Sequence, residues 1–465
     1  MWIKIALSMT LTSVLAAGDW TQFRGPNGAG KASGSVVDAP SLEENLIWKT
    51  PVPVGHSSPV IVGDKIYLTA VEDDKLFTLA LDRQTGRILW RREAPRPRRS
   101  QFNEQNNAAS PSPVSDGENV YVFFGEFGLL SYGPDGNERW RVPLGPFVNI
   151  RGMGASPIFA DGKVLLACDD DGGHSFLLAL DAKTGKEIWR TARTEFRKAF
   201  STPAVYRPED GPAQILQPGS FTLVSYALDN GEELWRAGGL CWQPKAIALF
   251  ANGRVHLNCQ GANPDPDAGN YPSFAQALEQ FDSDGDGALS VDEFYQQRRT
   301  KFPEYDFSQN LLMEKDEWDF FVARMATRPG LFAVRLGGSG DVSKTHVDWV
   351  FERALGNVPT PVIYKGVVYS IRNAGILTSI DAETGEVIKQ GRLPDALGAY
   401  YSSPVAADGK LFFLDEEGTL TVVKAAGQWE VLNSLALNEG GNATPAIVDG
   451  RLYVRTHENM YCFGE

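Results

Sequence analysis

DRQTGRILW (82–90), GPDGNERW (133–140), DAKTGKEIW (181–189), LDNGEELW (228–235) and DAETGEVIK (381–389) share one plan. Each has a polar turn containing glycine, three further residues and then a tryptophan; in the last, Lys389 takes the tryptophan position. A second signature precedes the units: Ser58-Pro59, Ser112-Pro113, Ser156-Pro157, Thr202-Pro203, Thr360-Pro361, Ser403-Pro404 and Thr444-Pro445. Behind each pair come a short apolar run, a turn such as VGDK, DGK or VDGR, and a second apolar run such as IYLTA, VYVFF or LYVRT. Neighbouring pairs stand 54, 44, 46, 43 and 41 residues apart, and only Pro203 to Pro361, at 158, is out of step.

A period in the forties with four short strands per unit predicts an all-β chain built as a β-propeller. One such sheet cannot bury both faces alone, whereas a ring of them buries each face against its neighbours and leaves only short edges. Trp90, Trp140, Trp189 and Trp235 are read as the side chains that wedge between adjacent blades, because a large flat ring buries much area there. Unit starts near 58, 112, 156, 202, 244, 360, 403 and 444 give eight blades; seven would follow if the weak unit at 402–436 were misread. The last unit is short of a strand, and ENLIWKTPV (44–52), with Trp48 in the docking position, is there to supply it. The segment 43–52 would thus close the final blade and remove the ring's edge. The resulting division is 1–18 address, 19–42 leader, 43–263 the closing strand, blades one to four and half of blade five, 264–329 an insertion, and 330–465 the remainder.

Composition supports an ordered, turn-rich domain: 43% apolar, 22% charged, 47 glycines and 28 prolines in 465 residues. The net charge of −14 argues against nucleic acid as a partner, since phosphate backbones demand clustered positive charge. Residues 1–18, MWIKIALSMTLTSVLAAG, read as a secretory signal, with Lys4, an apolar stretch and small residues at 16–18. The chain is therefore expected to be exported to the periplasm or beyond. No cysteine follows the cleavage region, so no lipid anchor is expected, and no later stretch has the apolar length of a transmembrane helix. Cys168, Cys241, Cys259 and Cys462 allow three pairings; Cys241 and Cys259 bracket two neighbouring strands and form the first choice, with four buried thiols as the alternative.

The insertion interrupts blade five between RVHLNC (254–259) and LFAVRLG (331–337), and carries FDSDGDGALSVDEF (281–294). That run matches an EF-hand calcium loop. Asp282, Asp284 and Asp286 supply the first three ligands, Gly287 the sharp turn, Ala288 a backbone carbonyl, Ser290 a direct or water-mediated oxygen, and Glu293 a bidentate carboxylate. Leu289 is the apolar residue that pairs two such loops. A degenerate second loop follows at 306–317, with Asp306, Ser308, Asn310, Glu314 and Glu317 at ligand positions and Met313 at the apolar one. Leu311 replaces its glycine, so tight calcium binding is not expected there. About one helix fits between the loops. In a propeller, connections between strands two and three share a face with the approaches to each Ser/Thr-Pro, so the insertion should stand on that face.

These hairpins and strand starts resemble the PQQ-type β-propeller repeat, and DWTQFRGPNGAG (19–30) is similar to the opening of secreted members of that superfamily. The superfamily includes quinoprotein dehydrogenases and a scaffold subunit of the outer-membrane β-barrel assembly machinery, so the resemblance implies fold more than function. In the dehydrogenases it would imply a quinone in the channel against a disulfide of adjacent cysteines, beside calcium and a catalytic aspartate. This chain has no adjacent cysteines and short blades, so PQQ is not expected, and the EF-hand calcium would lie outside the channel.

Polar loops on the open face hold His56, Glu104, Asn106, Asn107, Arg151, Arg197, Lys198, Tyr400, Tyr401, Glu439 and Asn442, a surface on which a rigid ring could bind a protein or small ligand. No nucleophilic triad, phosphate loop or zinc spacing names a catalytic group. Arg96, Arg98 and Arg99 form a basic loop that could meet an acidic partner or simply be solvated. The reading is an exported binding scaffold with a calcium-ordered helical arm over the mouth. Its alternative is a quinone-dependent alcohol or sugar dehydrogenase; a carbohydrate-binding or lyase role at the mouth, through Tyr400, Tyr401 and the charged loops, is a third.

Overall fold

Proline has no N–H to give a sheet ladder, so pairing can begin only after it. Each innermost strand is accordingly short: Val60–Val62 after Pro59, Ile158–Ala160 after Pro157, Val362–Tyr364 after Pro361 and Val405–Ala407 after Pro404. In the computed structural model, which describes residues 18–464 apart from Ile150, 261–264, 266–269, Arg328 and Ala354, eight four-stranded antiparallel units follow in order. They span 60–94, 114–143, 158–192, 204–238, 249–351, 362–392, 405–436 and 446–463, the last completed by Leu46–Pro51. The expected count of eight and the closing strand are both found. The weak unit at 402–436 is a complete blade, and the signal segment lies outside the described residues except for Gly18.

Burial follows the layering. In the second blade Val120–Phe124 and Gly128–Tyr132 are buried throughout, because both faces of a blade meet neighbours. The outer strand Glu138–Pro143 is exposed or half-buried at every position but one, and that position is Trp140. A register shift stands beside the docking position in all eight blades; in the second, Ser131 pairs with Trp140 and Tyr132 with Glu138, leaving Arg139 bulged. Such a bulge re-aims the side chain beside it. Trp48, Trp90, Trp140, Trp189 and Trp349 donate their indole N–H to a carbonyl of the following blade, at 2.8–3.2 Å.

Two positions depart from the expected docking. Trp235 donates to Gln214 Oε1 of its own blade at 3.1 Å. The long hairpin of blade five covers it instead, with Gly340–Asp341 pairing in parallel against Trp235 and Arg236. Lys389 replaces the indole by setting its ammonium over the Trp429 ring, 4.0 Å from the centroid, and donating to the Trp429 carbonyl. Blade five begins at Leu249 with Ile247-Ala248 in place of Ser/Thr-Pro, a few residues beyond the expected start at Pro244.

The cysteine first choice is also found: Cys241 and Cys259 are bonded, while Cys168 and Cys462 are free and buried. That bond ties the approach to blade five to the point where the insertion leaves it. No helix among the described residues is long and apolar enough to cross a membrane.

Candidate functional site

The serines and threonines of the strand starts have a second use. Ser58 N donates to Ser112 Oγ, Ser112 N to Ser156 Oγ and Ser156 N to Thr202 Oγ1, at 2.9–3.0 Å. After one break the series resumes: Ile247 N to Thr360 Oγ1, Thr360 N to Ser403 Oγ, Ser403 N to Thr444 Oγ1 and Thr444 N back to Ser58 Oγ. Seven hydroxyls thus stitch eight blades around the axis. The gap falls where Ile247 occupies the hydroxyl position, and there Ser201 Oγ donates to Ala246 O instead. The sequence showed the recurrence of Ser/Thr; its meaning as a ring with a single gap appears only when the blades stand side by side.

Below that ring the leader crosses the channel. Trp20 pairs with Ile61, Ser115 N donates to Thr21 O, Asn27 exchanges two hydrogen bonds with Val205, and Lys31 pairs with Ala406. Arg24, fully buried, donates to the carbonyls of Gly28, Thr360, Pro404 and Pro361. Burial without a carboxylate partner pulls its guanidinium down to about 9, so it remains charged at neutral pH. Nothing in the leader's sequence announces this role except an arginine set among glycines and aromatics.

Above the ring lies a cavity of about 340 Å³ with Phe23 of the leader at one end and the seven hydroxyls in its wall. Arg151, Tyr401 and Asn442 line it, as do His56 and Asn106. The other expected face residues are employed elsewhere. Glu104 is exposed and outside the lining, and Asn107 caps the Ala109 N–H. Tyr400 is 1% exposed, in the core of blades six and seven. Glu439 is held by Thr456, Asn459 and Tyr461. Lys198 is buried against Asp171 at 3.0 Å. Arg96 and Arg99 are neutralised by Glu126 and Asp74, and Arg98 caps the Leu144 carbonyl, so that loop offers no free basic patch.

Sequence reasoning passed over Lys245 and Gln243. Lys245 Nζ donates to Gln243 Oε1 at 3.0 Å and to Asn357 Oδ1 at 3.1 Å, and faces no carboxylate among the described residues. Burial first, and Arg151 second, bring its ammonium down to about 7. Gln243 Nε2 is buried with no hydrogen-bond partner.

Beside this cavity stands the inserted arm, with helices α1 (Phe274–Phe281) and α2 (Lys315–Ala326) and a 3₁₀ turn at Gln296–Glu304 between the loops. Carboxylate oxygens of Asp282, Asp284 and Glu293 lie within 4.8 Å of one another. Asp286 accepts the Ala288 N–H, and Ser290 bonds Glu293 through N and Oγ. Leu289–Ser290 pairs antiparallel with Leu312–Met313, which joins the two loops as the apolar positions foretold. In the second loop Asp306 accepts from Ser308, Asn310 and Leu311, while Glu317, buried, takes the Phe307, Ser308 and Glu314 N–H groups. Leu311 makes the tight turn at φ 66°, a left-handed conformation that a leucine resists.

The arm sits on the expected face but to one side: no described residue of it lines the cavity. It docks through Arg197, which pairs with Asp316 at 2.7 Å and stacks on Phe307, and through Phe320 against Phe221 and Trp242.

Residues 41–129 and 78–238 match the family described as outer membrane protein assembly factor BamB. A polyvinylalcohol dehydrogenase of a Pseudomonas species is 24% identical over 209 residues, 41% of this chain and 30% of that protein. BamB of Burkholderia pseudomallei is 25% identical over 204 residues, 42% of this chain and 46% of that one. The matches thus span less than half the length of these curated relatives. Among solved structures, quinohemoprotein alcohol dehydrogenase from Comamonas testosteroni superposes with a TM-score of 0.63 over 97% of this chain and 81% of its own, at 12% identity. BamB from Moraxella catarrhalis gives 0.53 over 90% and 98%, also at 12%. Such identities speak to the fold.

Proposed function

We propose, of a chain that belongs among the propellers of PQQ-like repeats, that it is an exported binding scaffold whose inserted arm is an EF-hand module ordered by calcium. One observation carries the reading: the arm is anchored beside the axial cavity by Arg197–Asp316 and by Phe320 between Phe221 and Trp242. Ordering the arm therefore fixes a second wall next to a rigid mouth, where binding surfaces on propellers form.

The donor set suits calcium. It is all oxygen, three carboxylates already face one point, and Gly287 turns at φ 86°. Asp282, Asp284, Asp286, Ser290, the Ala288 carbonyl and Glu293 would hold the ion; bound, it would neutralise the carboxylates' mutual repulsion and tie α1 to the loop's far end. Glu317 in the second loop is raised by burial and committed to backbone N–H groups, which favours a packing role for that loop.

The quinone-dependent alternative fits the residues poorly. Among the described residues the cavity lining has no aspartate or glutamate to serve a bound calcium or act as a base, and Cys241 and Cys259 stand 18 apart rather than adjacent.

Limited proteolysis with calcium and with chelator tests the reading. Cleavage within 264–329 should be suppressed by calcium and restored by chelator, and Glu293→Gln should abolish the protection. Equal resistance in both conditions would refute the ordering role.

A further inference from the structure

We propose that the axial cavity binds a small sugar acid, its carboxylate held by Lys245 and Arg151 and its hydroxyl oxygens met by the ring of serines and threonines. The inference deepens the scaffold reading by naming a ligand class for the mouth.

The lining is chemically one-sided. In a protein of net charge −14 the cavity holds two cations and, among the described residues, no carboxylate. The Arg151 guanidinium makes no hydrogen bond or ion pair with any described residue, and Lys245 is satisfied only by two neutral amide oxygens. A half-buried cation without a counter-ion is costly unless a ligand brings one. The low proton affinity of Lys245 has the same physical origin, and an anion within reach would restore it.

The ring adds donors. Each of its seven hydroxyls accepts one peptide N–H, leaving its own proton without an acceptor among the described residues. Gln243 Nε2 is likewise buried and unpartnered among the described residues. Cations, hydroxyl protons and an amide N–H thus converge on one space, and the complement of such a space is an oxygen-rich anion. The Asn442 amide at the mouth can both give and accept hydrogen bonds, as polyhydroxylated ligands require. Tyr401 and Phe200 supply apolar surface for the carbon face of a ring. A cavity of about 340 Å³ takes a ligand of monosaccharide to disaccharide size.

Calorimetric titration of the full chain with glucuronate, glucose and inorganic phosphate, in calcium and in chelator, decides the matter. Glucuronate should bind about tenfold or more tightly than glucose or phosphate, and weaken as salt rises. Lys245→Met should cost about tenfold or more, while Lys245→Arg, which keeps the charge and controls for folding, should stay within a few-fold of wild type. Equal affinity for glucose, phosphate as tight as glucuronate, no binding at millimolar glucuronate, or a Lys245→Met chain that binds unchanged would each overturn the assignment. Should glucuronate fail while calcium still protects the arm, the ligand falls and the scaffold stands; the reverse result separates them the other way.

Discussion

The Trp140 indole lies against Gly185 of the following blade, so close that a β-carbon on that glycine would sit 2.7 Å from the ring. The same indole donates to Ala182 O at 2.8 Å, and Gly185 has φ 70°, which the turn requires. Glycine is thus demanded twice at this position, by the turn and by the ring above it. Trp48, Trp90, Trp189 and Trp349 meet Gly86, Gly136, Gly231 and Gly385 in the same way.

Gly185→Ala should therefore lower stability by about 1–3 kcal/mol, from left-handed backbone strain and the displaced indole. Trp140→Ala should cost about 3–5 kcal/mol. Because the two residues share one contact, the double variant should lose less than the sum. Denaturation midpoints of the three variants measure this, and strict additivity would contradict the shared contact.

The hydroxyl ring yields a second expectation. Ser112→Ala removes the acceptor of the buried Ser58 N–H and should cost about 1–3 kcal/mol, the penalty for an unsatisfied buried donor. Ile247→Thr would supply an acceptor for Thr202 N–H but gives up apolar contact with the leader beside Gly28, so its net effect should be within about 1 kcal/mol. Amide exchange at Ser58 in the first variant, and at Thr202 in the second, reads each bond directly: protection falls in one and rises in the other.

Arg24 ties the leader to two blades through carbonyls that have no other described side-chain donor. Arg24→Met should leave those oxygens buried and unmet, loosening 19–32 before the blades themselves give way. Amide exchange in the leader should accelerate by on the order of tenfold or more, since charge-assisted bonds contribute about 1.5–3 kcal/mol each. Exchange in the outer strands should change little.

Blade number, the closing strand and the position of the insertion were legible because each rests on a periodic local pattern. The disulfide was a first choice for the same reason, its cysteines flanking adjacent strands. What stayed hidden was set by neighbours distant in the chain. Trp349 follows a hairpin too long for the repeat spacing, and Ile247-Ala248 lacks the proline that marks other strand starts. Lys245 and Gln243 look like ordinary linker residues until blade five is set beside the axis. Tyr400 and Tyr401 are adjacent and alike, yet one is core and the other lines the cavity; only the twist of the loop decides which.

His56, at the cavity wall, makes the fold sensitive to acid. Its ring is 5.7 Å from that of His457, and its Nδ1 is buried without a partner. Burial first, then His457 and Arg455, bring its proton affinity down to about 4, against an ordinary value of 6.5. The unfolded chain consequently takes up this proton before the folded one does. The stability conferred by a neutral His56 is present in full above about pH 6.5 and is lost progressively as pH falls from there to about 4. His56→Asn should flatten the dependence of the thermal midpoint on pH across that window, narrowing the drop between pH 7 and pH 4.5 by on the order of a few degrees. His457→Asn should make the wild-type fall smaller and end it at a higher pH, because the folded-state proton affinity of His56 then lies closer to its ordinary value. Parallel curves for wild type and both variants would show that the acid response arises elsewhere.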